Sequence, residues 1–126
     1  MEKKIIIADD EKDLVKIMVR ALRGKYSPQN IEVYHSGKEL QERVSEGRTD
    51  DIALVVTDND FEDDINGKDV ALELRTRWPG PIRVQSGKFT GEDLNYLKQR
   101  GIDAYYKPFD FSEFEEYVKS KVDVQQ

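Results

Sequence analysis

Ile5-Ile6-Ile7-Ala8, entered through Lys4, is an unbroken apolar run of the kind that fills a fully buried strand, and it gives way at once to Asp9-Asp10-Glu11. Behind the acids, Leu14, Ile17, Met18, Ala21 and Leu22 recur at helical spacing and stop short of Gly24, which predicts an amphipathic helix. The same unit then repeats. Ile31–Tyr34 reads as a second strand, and Ser36 with Glu39 forms a capping-box pattern for a helix carrying Leu40 and Val44. Ile52–Thr57 is a third strand, followed by a strongly acidic loop from Asp58 to Asn66. A helix with Val70, Ala71, Leu74 and Trp78 comes next, and Pro79-Gly80-Pro81 must end it. Ile82–Ser86 is a shorter fourth strand, and Thr90-Gly91-Glu92-Asp93 suits the cap of a helix holding Leu94 and Leu97 and closing at Gly101. Ala104–Tyr106 makes a fifth strand before Lys107-Pro108. Asp110 with Glu113 reads as the cap of a last helix holding Phe114, Tyr117 and Val118.

Strands alternating with helices imply a parallel sheet covered on both faces, since each crossover passes through a helix and returns right-handed. The fold class expected is α/β, a doubly wound five-stranded parallel sheet, with residues 1–126 forming one domain. Ligands of such open sheets sit at the carboxyl ends of the strands. That rule collects Asp9 and Asp10 after the first strand, Asp58 after the third, Ser86 after the fourth and Lys107 after the fifth. Each carboxylate pair at about 4 Å costs on the order of 4 kcal/mol at an effective dielectric near 20, so the cluster invites a counter-charge. Carboxylate and carbonyl oxygens with no His or Cys suit a hard ion, Mg2+ best of all. A carboxylate beside such an ion can act as a nucleophile toward phosphorus, and Asp58 is central. Lys107 could then pair with phosphoryl oxygens and Ser86 donate to another, with Gly87 permitting close approach of a tetrahedral group.

Composition narrows the classes of function. Charged residues make up 37% of the chain and hydrophobic ones another 37%, so a folded domain is expected. The net charge of -6 argues against binding nucleic acid through non-specific phosphate attraction. The chain has no cysteine, which excludes a disulfide framework and a thiolate metal site. Its apolar runs are too short to span a bilayer and no leader resembling a signal peptide is evident, so the expectation is a cytoplasmic protein without membrane contact.

Taken together, Ile-Ile-Ile-Ala-Asp9-Asp10-Glu, Leu-Val-Val-Thr-Asp58, Ser86-Gly87 and Tyr-Lys107-Pro108-Phe resemble the motif set of response-regulator receiver domains, over essentially the whole chain. The resemblance implies a flavodoxin-like sheet in the order 2-1-3-4-5 and a phosphorylation switch rather than an enzyme with turnover. Asp58 would accept a phosphoryl group from a phosphohistidine of a sensor histidine kinase or phosphotransfer protein. Asp10 would bind Mg2+ directly, Asp9 through water, and Asp60 through its backbone carbonyl. It implies a cis peptide at Lys107-Pro108, a downstream protein target rather than nucleic acid, and a monomer or a phosphorylation-dependent dimer.

The chain also departs from the family pattern. Glu62 stands where a proline is usual, four residues after the acceptor, and the stretch from Asp58 to Gly67 is one residue longer. Between Gly101 and Lys107 it is one residue shorter, so Tyr105 is the best match to the family's aromatic switch residue, partnering Ser86, with Tyr106 as substitute. Asp60 and Lys88 flank the approach of hydrolytic water. Asp60, Asp63 and Asp64 read as a solvated acidic loop, and His35 as a strand-end residue without a phosphotransfer role. Two other classes compete: a pseudo-receiver that binds a partner constitutively, and a haloacid-dehalogenase-like phosphatase, whose Asp-x-Asp motif Asp58-Asn59-Asp60 resembles.

Overall fold

The computed structural model describes residues 3–45 and 48–123. Among these, strands β1 (Lys4–Ala8), β2 (Ile31–Tyr34), β3 (Ile52–Asp58), β4 (Ile82–Ser86) and β5 (Asp103–Tyr106) form one sheet. Helices α1 (Lys12–Leu22), α2 (Gly37–Ser45), α3 (Gly67–Arg75), α4 (Gly91–Gln99) and α5 (Phe111–Val122) connect them. All pairings are parallel, in the order β2-β1-β3-β4-β5, so the expected doubly wound α/β sheet is found. No described helix is long and apolar enough to cross a membrane.

Two cores lie on opposite faces of the sheet. Leu40, Val44, Val70, Leu74, Trp78 and Leu97 bring α2, α3 and α4 onto one face. Met18, Leu22, Phe114, Val118 and Val122 bring α1 and α5 onto the other. Strand β3 is buried at every position, as a central parallel strand should be.

Several helix details depart from the expectations. Ile17 is 43% exposed, because Val15, Met18 and Leu22 set the phase of α1 against the sheet. Helix α3 ends at Arg75, three residues before Trp78, which follows in a turn with its ring still buried. The Thr90–Asp93 capping box of α4 forms in both directions, and Gly101, at φ +68°, closes the turn after it. At α5, Asp110 caps alone through the Ser112 N–H, while Glu113 turns inward to the guanidinium of Arg83. At α2, Ser36 accepts from the Glu39 N–H, and Glu39 accepts from His35. Asp63 adds a cap from afar, accepting from the Gly37 and Lys38 N–H groups, so it is not a purely solvated acid.

One buried ion network ties the sheet's edge to α2. Arg43 donates to Glu32 on β2 at 2.9 Å and to Asp51, just before β3, at 3.0 Å, and Arg48 reaches Asp51 at 3.2 Å. Burial alone would push the Asp51 carboxyl up, but the Arg43 hydrogen bond and charge outweigh it and hold it below its ordinary value. The stabilisation is therefore present above about pH 4, the unfolded value, and lost as pH falls through the lower folded value. Arg43→Met leaves the exposed Arg48 as the one cation paired with Asp51 among the described residues. It is expected to cost about 2 kcal/mol at neutral pH, below the range for a fully orphaned buried charge. Urea unfolding should also show the gap between parent and variant shrinking below about pH 4.

Candidate functional site

The β1, β3, β4 and β5 carboxyl ends meet at one rim, and there the structure gathers most of the residues singled out in the sequence. Asp9, Asp10 and Asp58 each present a carboxylate oxygen within 4.8 Å of the others. Asp9 and Asp58 are buried, while Asp10 is half-exposed. Lys107 enters from the end of β5, with Nζ 2.8 Å from Asp9 Oδ2 and 3.2 Å from Asp58 Oδ1. The Lys107-Pro108 bond is cis, as expected, and the Lys107 N–H donates to the Ser86 carbonyl.

Backbone donors hold the acids in place. Glu11 N–H donates to Asp9 Oδ1, Asp60 N–H to Asp58 Oδ1, and Glu62 N–H to Asp10 Oδ2. Among the described residues these contacts leave Asp10 Oδ1 and Asp58 Oδ2 without a donor, two oxygens open to a cation. Three carboxylates against one ammonium form an all-oxygen donor set with surplus negative charge, and such a set fits Mg2+. Burial pushes the Asp58 carboxyl up and the neighbouring Asp9 charge adds to it, with Lys107 offsetting only part. Asp9 is likewise raised by burial against the pull of Lys107. Burial would lower the Lys107 pKa, but the carboxylates outweigh it and keep the ammonium charged.

The longer loop after Asp58 has a definite shape. Asn59 donates its N–H to Gln85 O, and its carbonyl and side-chain oxygen accept from the N–H groups of Gly67 and Lys68. Phe61 is buried in the α2–α3–α4 core and anchors the loop's middle. Gly67 is required, since a Cβ there would lie 1.8 Å from the Asp58 carbonyl oxygen. Neither Asn59 nor Phe61 was singled out in the sequence; Phe61 alone left a signal, an aromatic inside an acidic stretch.

Ser86 lies at the rim, but its hydroxyl is engaged. Oγ is 2.5 Å from Asp60 Oδ2 and 2.6 Å from the Lys88 carbonyl, and it accepts from the Lys88 N–H. One hydroxyl hydrogen cannot serve both oxygens, so the contact is crowded. Asp60 is thus more than a solvated acid. His35, as expected, is an exposed residue at the end of β2.

Residues 5–119 match the family described as response regulator receiver domain. The chain belongs to that family. In fold it is similar to a CheY-like response regulator receiver domain protein from Methanospirillum hungatei, with a TM-score of 0.81 and 21% identity over 99% of this chain and 97% of the other. It is also similar to a response regulator receiver protein from Sinorhizobium medicae, with a TM-score of 0.77 and 23% identity over 99% and 98%. The phosphorylated cyanobacterial phytochrome response regulator RcpA gives a TM-score of 0.74 and 19% identity over 95% and 91%. Receiver domains are in general non-catalytic signalling switches that bind Mg2+ in an acidic pocket and work between histidine kinases or phosphotransfer proteins and downstream effectors.

The two tyrosines of this receiver domain fall on different faces. Ser86 pairs in register with Tyr106, and Gln85 with Tyr105; parallel partners share a face and successive residues alternate. Tyr106 is therefore on the Ser86 side, 51% exposed and edge-on to Phe89. Tyr105 is on the α5 side, stacked 3.7 Å from the Arg83 guanidinium and edge-on to Tyr117. Arg83 is fully buried, bound to Glu113 and Gln85. The structure does not bring Tyr105 to Ser86. Tyr105→Ala should uncover a buried guanidinium and cost about 2 kcal/mol or more, whereas Tyr106→Ala should cost under about 1 kcal/mol. Chemical denaturation of the two variants checks the order.

Proposed function

We propose that Asp58 is the phosphoacceptor of this receiver domain and that phosphorylation there alters a partner-binding surface. The observation carrying this reading is a buried carboxylate at the end of the central strand, fixed on one oxygen by Lys107 and the Asp60 N–H and open on the other. Asp58 Oδ2 attacks phosphorus of a phosphohistidine, the P–N bond breaks, and the departing imidazole nitrogen keeps the electron pair and takes a proton. Lys107 pairs with a phosphoryl oxygen as the new charge arrives. Asp10 and Asp58 would hold Mg2+ directly, Asp9 through water, and Asp60 through its backbone carbonyl. When bound, the ion supplies charge neutralisation on the transferring group.

Ser86 completes the site by donating to a second phosphoryl oxygen, which requires its hydroxyl to leave Asp60. Tyr106, sharing the Ser86 face and half free of the core, is better placed than Tyr105 to follow that movement. The partners are a histidine kinase or histidine phosphotransfer protein and a downstream protein target, in the cytoplasm. RcpA, of the same fold, carries a phosphoryl group. Membership of the receiver family, with the Asp-x-Asp motif behind the third strand, weighs against the phosphatase reading. The intact acids and lysine weigh against the pseudo-receiver.

Treatment with a small phosphodonor and Mg2+ should add one phosphoryl mass to the parent and none to Asp58→Ala, as read by intact mass spectrometry. An adduct persisting in the variant overturns the assignment of Asp58. Separately, calorimetric titration with Mg2+ should show Asp10→Ala weakened at least about tenfold, roughly 1.4 kcal/mol. An unchanged affinity would place the ion elsewhere.

A further inference from the structure

Helix α4 is the helix least held by burial. Leu97 is its one buried residue, where α3 and α5 each bury four. Apolar burial is what usually fixes a helix on a sheet. Two polar tethers to α3 take its place here, and they differ in kind. At the carboxyl end, Arg75 of α3 donates from Nε to the Arg100 carbonyl at 2.9 Å and from Nη2 to that of Gly101 at 3.0 Å. Its Nη1 donates to the carbonyls of Trp78 and Gly80, at 3.0 and 2.6 Å. One planar guanidinium thus clasps four carbonyls across the ends of both helices. At the amino end the tether is a single ion pair, with Lys68 Nζ 2.8 Å from Asp93 Oδ1.

Lys68 also belongs to the clasp of the loop that carries Asp58. Its N–H donates to the Asn59 side-chain oxygen at 2.9 Å, and Gly67 before it lies against the Asp58 carbonyl. Asp93 divides its two oxygens: Oδ2 accepts from the Thr90 N–H in the capping box while Oδ1 faces Lys68. The turn between β4 and α4 is tied down as well, through the two contacts of Ser86 Oγ with the Lys88 backbone. The amino end of α4 is therefore held at Ser86 and at Lys68. When the Ser86 hydroxyl turns to a phosphoryl oxygen, the first hold is given up and the Lys68–Asp93 pair is left to resist movement of that end.

We propose that the Lys68–Asp93 ion pair is a latch that holds α4 in its unphosphorylated place, and that the helix swings about the Arg75 clasp when the latch opens. Lys68 is then a positioning residue, acting on the acceptor site through the turn before α4 and Ser86. The inference rests on Asp58 as the phosphoacceptor. Its sign follows from linkage: if a phosphoryl group at Asp58 favours the open latch, opening the latch by substitution favours that group at Asp58 by the same factor. The Lys68 and Asp93 side chains are 28% and 21% exposed, so the expected factor is small, about threefold. A contact that merely stabilised the fold would give the opposite sign or none.

The test titrates the isotope-labelled whole chain, with Mg2+ present, with beryllofluoride, a tetrahedral group that coordinates a carboxylate oxygen as a phosphoryl group does. Lys68→Met and Asp93→Asn each open the latch, and the asparagine keeps an acceptor for the Thr90 N–H. Each variant should bind beryllofluoride about threefold more tightly than the parent, and the two changes together should do no more than either alone. Without ligand, their amide signals from Gly91–Gln99 should lie part-way toward those of the liganded parent, while those of Arg100 and Gly101 stay in place. Lys68→Arg, which keeps the ion pair, should match the parent. Unchanged or weaker binding in either variant, additive effects, or α4 signals that do not move overturn the latch and leave Asp58 as the acceptor. A parent that takes no beryllofluoride, or takes it equally after Asp58→Ala, overturns the reading of Asp58 and the latch with it.

Discussion

The ammonium of Lys107, lying between Asp9 and Asp58, is what lets three carboxylates share the end of one sheet. A pair of like charges at about 4 Å costs on the order of 4 kcal/mol at an effective dielectric near 20, and burial raises that cost. One cation cannot neutralise three acids, so the protein alone leaves the rim with negative charge and two open carboxylate oxygens. The position of Lys107 makes particular demands on the fold. Strand β5 is separated from β3 by β4 and from β1 by both, at about 4.8 Å per strand. Only a long, single-headed side chain at the end of β5 reaches across β4 to both acids, and the Lys107 N–H bond to Ser86 O fixes where it starts. The register of four strands is therefore part of the site.

The loop after Asp58 answers a second demand, that backbone N–H groups face the acids. Asp60 and Glu62 supply theirs to Asp58 and Asp10, and this needs the chain to turn back sharply past Gly67. Asn59 clasps the turn, Phe61 anchors its middle and Asp63 fastens its far side to α2. A residue more in this loop, and Glu62 in place of proline, are accommodated because Glu62 now gives a donor that proline lacks.

The sheet and the acidic cluster were legible in the sequence because each rests on local signals. Apolar runs that break into Asp, or into Lys107, mark both a strand and its carboxyl end, and the order of elements fixes which ends meet. What was not legible depends on distant partners. Glu113 looks like half of a capping box until Arg83, thirty residues away, is seen to claim it. Asp63 looks solvated until α2 is placed beside it. Tyr105 and Tyr106 are neighbours on a four-residue strand, and a shift of one residue exchanges the faces, so motif alignment with a missing residue could not separate them.

Arg83 gives that last distinction physical weight. A fully buried guanidinium is tolerable only with its charge paired and its faces covered, and here Glu113 pairs it while Tyr105, Phe109, Phe114 and Tyr117 surround it. Any movement of Tyr105 would open that cage, break the seam between β5 and α5, and leave a charge without solvent. Movement of Tyr106 disturbs one edge contact with Phe89 on a half-exposed ring. The two faces of β5 thus differ in stiffness by construction. A change at Ser86 finds its soft neighbour on the α4 side, with α5 held as the fixed frame against which that side can move.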